Sequence, residues 1–448
     1  MTAPHVCIHP NGRFFQTADG EPFFYFFYTV WMLFGLLTLD EVRTLFRNRA
    51  DKGFTVIQAV VFRDLFEPNT PNVAGITPFA NDEDLHAARI SPAWLDHVAE
   101  VVRMADEMGL VMALLPTWGD KWTKHNNSAG PVIFNPENAN RYGRQLSDRL
   151  AEFGNLVWIM GGDSVLREPA NIETLNSMAA GIRSGGAGDR LMSFHPGGGR
   201  HSAGLHCTPW LDFHGNQSGH LMPNGADYQY VELLSSLSPA KPVIDIEPNY
   251  EVCPMFWSRR MALPIEPLFN DYDVRKCCYR SVLAGGAGFT YGCDPIRQCL
   301  RPGDRLHAHR WKDMPFWFDV LDAPGAGQLQ LLAQVLLERS YFTRTPAQDL
   351  LTVIPPMGAR PEQCTNSDPV SHIRVARCTE GSYLMAYIPV RQAITLDTSG
   401  IQGDRFQVSI YHPGECRLAH RCECSNTGRF NFIPEWNLDS FIVLDAMC

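Results

Sequence analysis

A theme repeated through the first three quarters of the chain constrains its fold more than anything else: a short apolar run, a polar turn, then a segment with helical periodicity. Parallel βα units carry that signature, because a strand covered on both faces reads as an unbroken apolar run while its crossover helix shows one apolar stripe. Eight such runs occur: Phe23 to Tyr28, Val56 to Val61, Val111 to Leu115, Leu156 to Met160, Leu191 to Phe194, Leu211 to His214, Val243 to Ile246 and Gly288 to Tyr291. Helix starts lie between them. Thr38-Leu39-Asp40-Glu41 forms a capping box, Ser91-Pro92 and Asn135-Pro136 place a cap before a helix-compatible proline, and Asp271 precedes a helix over Val274 to Leu283. Gly53, Gly109 and Gly154 mark helix stops. Eight strands alternating with helices predict an α/β fold, a (β/α)8 TIM barrel. A doubly wound sheet has fewer strands and a Gly-rich first turn, which is absent after Tyr28.

After a helix over Gln328 to Arg339 the pattern changes to short alternating runs: Leu351 to Ile354, Ile373 to Arg377, Ser382 to Ile388, Phe406 to Tyr411 and Ser440 to Leu444. These predict a small antiparallel β-sandwich. The expected division is 1–345 for the barrel and 346–448 for the sandwich, at Thr345-Pro346. The 448 residues carry 38 basic against 48 acidic side chains, a net charge of -10, which argues against nucleic acid as a partner. No segment approaches the roughly 18 unbroken apolar residues of a membrane span, and Met1 to Pro10 lacks the pattern of a secretory signal, so the expected location is the cytoplasm. The 13 cysteines, an odd number including the adjacent Cys277 and Cys278, fit reduced thiols; Cys422 and Cys424 are too isolated to claim a zinc site. The composition leaves room for a homo-oligomer.

Barrel active sites form at the C-terminal ends of the strands. Those ends supply Tyr28, Thr29 and Trp31; Arg63 and Asp64; Thr117, Trp118, Asp120 and Lys121; Asp163; His195; His214, Gln217 and His220; Glu247, Tyr250 and Glu251; and Tyr291 with Asp294. Aromatic faces beside carboxylates and amides suit a sugar. Asp163 ends the fourth run and Glu247 the seventh, on facing sides of the mouth. Glycoside hydrolysis needs one protonated carboxyl and one ionised carboxylate; a separation of about 5 to 5.5 Å gives retention, and about 6.5 to 9.5 Å inversion. Each acid has a plainer alternative: Asp163 as a helix N-cap after Gly161-Gly162, and Glu247 in a buried ion pair with an arginine such as Arg275. Asp245, two residues before Glu247, is expected on the same face and deeper in the barrel.

Several longer stretches carry a resemblance: Lys52 to Gln58, Leu114 to Trp122 (LLPTWGDKW), Phe134 to Ala139, Met160-Gly161-Gly162-Asp163, Phe194 to Gly198, Asn216 to His220, Lys241 to Pro248 with Glu251, and Gly288 to Gly292. Through them the chain resembles the apiosidase-type glycoside hydrolases (DUF4038-type), whose barrel is followed by a β-sandwich labelled collagen-binding. The resemblance implies a retaining glycosidase in which Asp163 matches the acid/base and Glu247 the nucleophile. Two departures stand out. Where the family has Gly-Asp-Thr-Ala-Trp and a nearby His, this chain has Phe27-Tyr28-Thr29-Val30-Trp31 and Gly35; where the family has His after Tyr-Gly, it has Cys293-Asp294. A phenol at Tyr28 replacing a carboxylate predicts a rebuilt innermost sugar subsite.

His195, His206, His214 and His220 invite a metal reading, but no HxH after the first strand and no HExxH helix occurs, so no metal or cofactor is expected. Trp122 is a candidate platform beside Trp118, and Gly197 to Arg200 is expected as a rim loop rather than a phosphate cradle. The sequence therefore predicts an exo-acting retaining glycosidase releasing an apiose-like or other terminal sugar from small oligosaccharides or plant glycosides. Asp163 and Glu247 would be catalytic, and Tyr28, Trp31, Gln58, Trp118, His195, Gln217, His220, Glu251, Tyr291 and Asp294 would form the pocket. The rivals are a catalytically silent sugar-binding barrel and a metal-dependent hydrolase.

Overall fold

A computed structural model describes residues 2–62, 69–124, 131–222, 225–256, 267–304, 314–355, 357–359 and 365–447. Arg63 and Asp64 lie outside the described residues. Eight parallel strands wind into a barrel: Tyr25–Thr29 (β1), Val56–Phe62 (β2), Val111–Thr117 (β3), Leu156–Ser164 (β4), Met192–Pro196 (β5), His214–Gln217 (β6), Val243–Asp245 (β7) and Gly288–Tyr291 (β8). Ladders join them in the order β5-β4-β3-β2-β1-β8-β7-β6. At the seam between β5 and β6, the Asp212 N–H donates to the Met192 carbonyl (2.8 Å) and the Ser193 hydroxyl to the Phe213 carbonyl (2.8 Å).

Two strands differ from the sequence expectation. The sixth begins at His214 rather than Leu211, because Leu211 and Phe213 are buried as packing residues ahead of the ladder, whose pairing starts at His214 opposite Val243. The seventh ends at Asp245, and the chain bends through Ile246 and Glu247. Arg200–His201 is a short strand antiparallel to β6, so the expected rim loop over Gly197 to Arg200 ends in regular pairing. A three-stranded antiparallel sheet, Val6–Ile8, Phe15–Thr17 and Pro22–Phe23, precedes the barrel. Its strands are too short to show periodicity in sequence. Phe15 packs on Tyr25 and Phe213, with ring centroids 4.9 and 5.2 Å apart, and floors the end of the barrel away from the strand C-termini.

Local chemistry explains the helix ends. Thr38 caps Leu39–Asp51 with the full reciprocal box, the Thr38 N–H donating to Glu41 Oε2 at 2.8 Å and the Glu41 N–H to Thr38 Oγ1 at 3.4 Å. Asn135 does the same for Pro136–Arg149 through Asn138. The Asp271–Leu283 helix is capped one residue earlier than expected, by Asn270 with Asp273. Gly53 and Gly109 take left-handed conformations, φ +78° and +74°, whereas Gly154 does not.

The C-terminal part holds a six-stranded antiparallel sheet in the order Arg344–Pro346, Arg374–Cys378, Tyr383–Ile388, Ser440–Ala446, Arg405–His412, Arg417–Ser425, and a three-stranded sheet of Leu351–Ile354, Ala393–Asp397 and Arg429–Phe432. One face of the larger sheet packs Val375, Leu384, Ala386, Val408, Ile442 and Leu444 against Ile394 and Leu396. Its other face joins the barrel core through Met385, Tyr387, Phe441 and Val443. There the Tyr279 ring stacks on Tyr387 at 4.6 Å. Arg275 grips Asp439 with two bonds of 2.9 and 3.1 Å, and Arg339 grips Asp445 with two of 2.7 Å. Arg275 is thus committed to the joint between the two parts and is not the partner of Glu247. Among the described residues no helix is long and apolar enough to cross a membrane.

Candidate active site

β4 ends in a break that only its own sequence permits. Its pairing with β5 shifts register between Gly161 and Ser164, a bulge of the sort that re-aims side chains at barrel rims. Gly161 and Gly162 have φ of +105° and +94°, and Asp163 itself is left-handed at +58°. A Cβ on Gly161 would meet the His195 carbonyl at 2.4 Å, and one on Gly162 the Gly119 nitrogen at 2.9 Å, so both positions demand glycine. The Trp122 indole N–H bonds the Gly161 carbonyl at 3.2 Å, which makes Trp122 a brace for this turn rather than a platform. The next helix starts at Pro169 with Glu168 as its N-cap, so Asp163 is not a helix cap. It is turned into the mouth.

Glu247 arrives from the opposite wall on the bend after β7 and is buried. His220 Nε2 lies 2.9 Å from its Oε1, and His195 Nε2 lies 3.0 Å from its Oε2, close but out of line for a full hydrogen bond. Arg297 Nη1 stands 3.9 Å from Oε1. His195 joins the two acids, since the Asp163 backbone N–H donates to its Nδ1 at 3.2 Å. The Pro196 carbonyl is 3.0 Å from the same nitrogen. When the Asp163 bond is made, the ring proton sits on Nε2, facing Glu247.

The two carboxyls are driven in opposite directions. Burial raises Asp163 above the usual carboxylate range, the Glu247 charge raises it further, and His195 and a bond from Gln217 only partly offset this. Burial would raise Glu247 too, but the His195 and His220 imidazoles reverse that and hold it well below the ordinary range. The pair is thus biased apart, Asp163 toward holding its proton and Glu247 toward its negative charge.

Three rings converge beside them: Trp31 to Trp118 at 5.1 Å, Trp31 to His195 at 5.3 Å, and Trp118 to His195 at 5.6 Å. The Trp31 indole N–H and Gln217 Oε1 are buried without protein partners. Of the residues expected at the site, Trp31, Trp118, His195, Gln217 and His220 therefore gather around Asp163 and Glu247. Others do not. Gln58 is fully buried inside the barrel wall, its Nε2 donating to the Ile246 carbonyl at 3.4 Å. Tyr28 faces the helix layer, with the Arg49 guanidinium 4.0 Å from its ring centre and Phe54 at 5.2 Å, so it builds no sugar subsite. Tyr291 lies in the same layer and donates its hydroxyl to Glu251 Oε2 at 2.6 Å, an oxygen that also takes the Gly325 N–H at 3.0 Å. Asp294 is buried and bonded to Arg297.

Asp245 also departs from expectation. Its Oδ1 takes the Ser218 N–H at 3.2 Å, on the side of β7 that Val243 presents to Tyr228, Val231 and Leu234, so it faces the helix layer and not the cavity. His206 and His214 pair with each other, 3.0 Å between ring nitrogens, beside Ser202 and apart from Glu247. Among the described residues no three His, Cys, Asp or Glu side chains are grouped to hold a metal ion. A cavity of about 240 Å³ opens at the opposite end of the barrel, between Arg13, Ser235, Gly285 and Arg344, and contains none of the groups above. Arg297 is the site residue that sequence reasoning missed. Its signal was the acid and base three residues apart, Asp294 and Arg297, directly after β8.

The sequence pattern of the apiosidase-like catalytic domain matches residues 9–343. No curated protein matches the chain. Among solved structures, one described as a glycoside hydrolase is 26% identical, with a TM-score of 0.84, over 99% of this chain and 97% of that one. A glycoside hydrolase family 5 protein from Bacteroides vulgatus is also 26% identical, with a TM-score of 0.83 over 99% and 94%. A further structure from the same organism shares the fold at 14% identity and a TM-score of 0.66, over 99% of this chain and 82% of that one.

Proposed function

On the premise that the chain belongs to the apiosidase-like family of glycoside hydrolases, we propose that it is a retaining, exo-acting enzyme in which Asp163 is the acid/base and Glu247 the nucleophile. The observation that carries the reading is the bridge His195 makes between the two carboxyl residues, its Nδ1 3.2 Å from the Asp163 N–H and its Nε2 3.0 Å from Glu247 Oε2, in surroundings that push the two acids' pKa values in opposite directions. Asp163 protonates the leaving oxygen while Glu247 attacks the anomeric carbon; Asp163, now ionised, then takes a proton from the water that releases the sugar. Trp31 and Trp118 cover the apolar face of the sugar, and the Trp31 N–H and Gln217 Oε1 meet its hydroxyls. The substrates are small oligosaccharides or plant glycosides ending in a pentofuranose such as apiose or a related unit. The described cysteines are all free thiols, which supports a reducing compartment.

The test is a panel of aryl pentofuranosides and hexosides, with the anomeric configuration of the first-formed sugar followed by NMR. Asp163→Ala is expected to lose about 10²–10⁴-fold in kcat on substrates with poor leaving groups. Glu247→Gln is expected to be inactive, and undiminished cleavage by it would overturn the assignment. The kcat/KM profile should fall at low pH as Glu247 is protonated and at high pH as Asp163 loses its proton.

A further inference from the structure

We propose that Arg297, held in place by Asp294, is a positioning residue for Glu247: it keeps that carboxylate ionised and aimed, and supports its return as a leaving group when the glycosyl-enzyme is hydrolysed. The inference rests on the proposed nucleophile role of Glu247 and adds to it a residue pair that follows β8.

The geometry is a closed circuit of buried groups. The one-turn helix Asp294–Arg297 begins directly after β8 and sets the acid and the base three residues apart. Arg297 Nε bonds Asp294 Oδ1, and both side chains are buried. That bond fixes the guanidinium plane, leaving Nη1 at 3.9 Å from Glu247 Oε1. The guanidinium also lies over the Tyr250 ring, 5.5 Å from its centre, and Tyr250 is anchored by its hydroxyl to Thr29 Oγ1 at 3.0 Å. The His220 ring, which bonds the same Glu247 oxygen, lies 4.6 Å from the Tyr250 ring. Among the described residues, Asp163, His195, His220, Tyr250 and Arg297 are the titratable or charged groups that face Glu247. Arg297 in turn is faced by Asp294, Cys253, Glu247 and Tyr250. Among the described residues facing Glu247, Arg297 brings a guanidinium, which stays charged across the working pH range.

The consequence lies in the second half of the reaction. In the glycosyl-enzyme the Glu247 oxygen is esterified and its charge is gone. When water attacks the anomeric carbon, the bond to Glu247 breaks, the electron pair returns to the carboxylate, and Asp163 takes the water's proton. A fixed cation beside Oε1 lowers the free energy of that returning charge without reorganisation. Asp294 keeps the cation from collapsing fully onto Glu247, so the two acids share one guanidinium.

Two measurements test this. The first is a double-mutant cycle by thermal unfolding with Arg297→Met, Asp294→Asn and Glu247→Gln, singly and in pairs. Arg297→Met is expected to lower the melting temperature by several degrees in the wild type and by measurably less with Glu247→Gln present, the part due to Asp294 being common to both; an equal loss in both backgrounds overturns the coupling. This arm needs no substrate, so it decides the inference even if no glycoside in the panel is cleaved, an outcome that would count against the proposed function instead. The second uses the 4-nitrophenyl glycoside most rapidly hydrolysed by the wild type. In Arg297→Met the acidic limb of kcat/KM should move up by about one pH unit, kcat should fall at least about tenfold, and KM should stay within about twofold. Arg297→Lys, which keeps the charge, should restore the limb. A raised KM with an unmoved limb would place Arg297 on the substrate instead and overturn the positioning role.

Discussion

At the residue scale, parity along a strand decides role. Tyr28 and Glu247 both end apolar runs, yet Tyr28 turns toward Arg49 and Phe54 while the bend after Asp245 carries Glu247 into the cavity. The Tyr28 hydroxyl is buried without a partner, so Tyr28→Phe is expected to leave KM unchanged and stability equal or higher by up to about 1 kcal/mol. A raised KM would return Tyr28 to the sugar pocket. Asp245 makes a pH prediction. Burial pushes its carboxyl up to about 7 from an ordinary 3.8, against the bonds from Ser218. A proton is then bound more tightly in the folded chain than in the unfolded one, so the contribution to stability is full below pH 4 and declines as pH rises to about 7. Asp245→Asn should flatten that decline in urea unfolding measured from pH 4 to 8; an unchanged slope would remove Asp245 as its cause.

At the scale of elements, the informative unit is the end of β4. Gly161, Gly162 and Asp163 hold three consecutive positive φ angles because the turn must pass between the Trp118-Gly119 backbone and the His195 carbonyl. Gly162→Ala should therefore strain the turn that aims Asp163. We expect a loss of about 10²-fold in kcat/KM with about 1–3 kcal/mol of destabilisation. An activity loss no larger than the loss of folded protein would show that the turn does not aim the acid. The capping box at Thr38 was legible in sequence because it joins residues three apart, and so was the cap at Asn135 before Pro136, whereas the reciprocal bond from Asn138 was found only in the structure. The N-terminal sheet was not, since strands of two or three residues carry no period.

At the scale of the whole molecule, the six-stranded sheet is covered on both faces, by the smaller sheet and by the barrel helix Asp271–Leu283. That explains why its central runs, Tyr383–Ile388 and Ser440–Ala446, are nearly continuous in apolar residues, while the edge strand Arg417–Ser425 is largely exposed. Arg275 and Asp439 are both buried at this joint, so Asp439→Ala leaves a cation without its two-pronged partner and should cost about 3–5 kcal/mol. Calorimetry should show the barrel and sandwich still melting together in the wild type, and separate transitions in the variant would mean that the pair couples them; a loss below about 1 kcal/mol would make it incidental.

The number of barrel strands, the change to antiparallel pairing near Thr345, and the placing of Asp163 at the end of β4 and Glu247 just beyond β7 were determined by the sequence itself, since each depends on periodicity or on neighbours a few residues away. Only the tertiary structure decided which end-of-strand side chains meet. Tyr28, Glu251 and Tyr291 went to the helix layer, and Arg297 came to Glu247, because the direction a side chain takes where a strand bends depends on what the rest of the barrel has already filled.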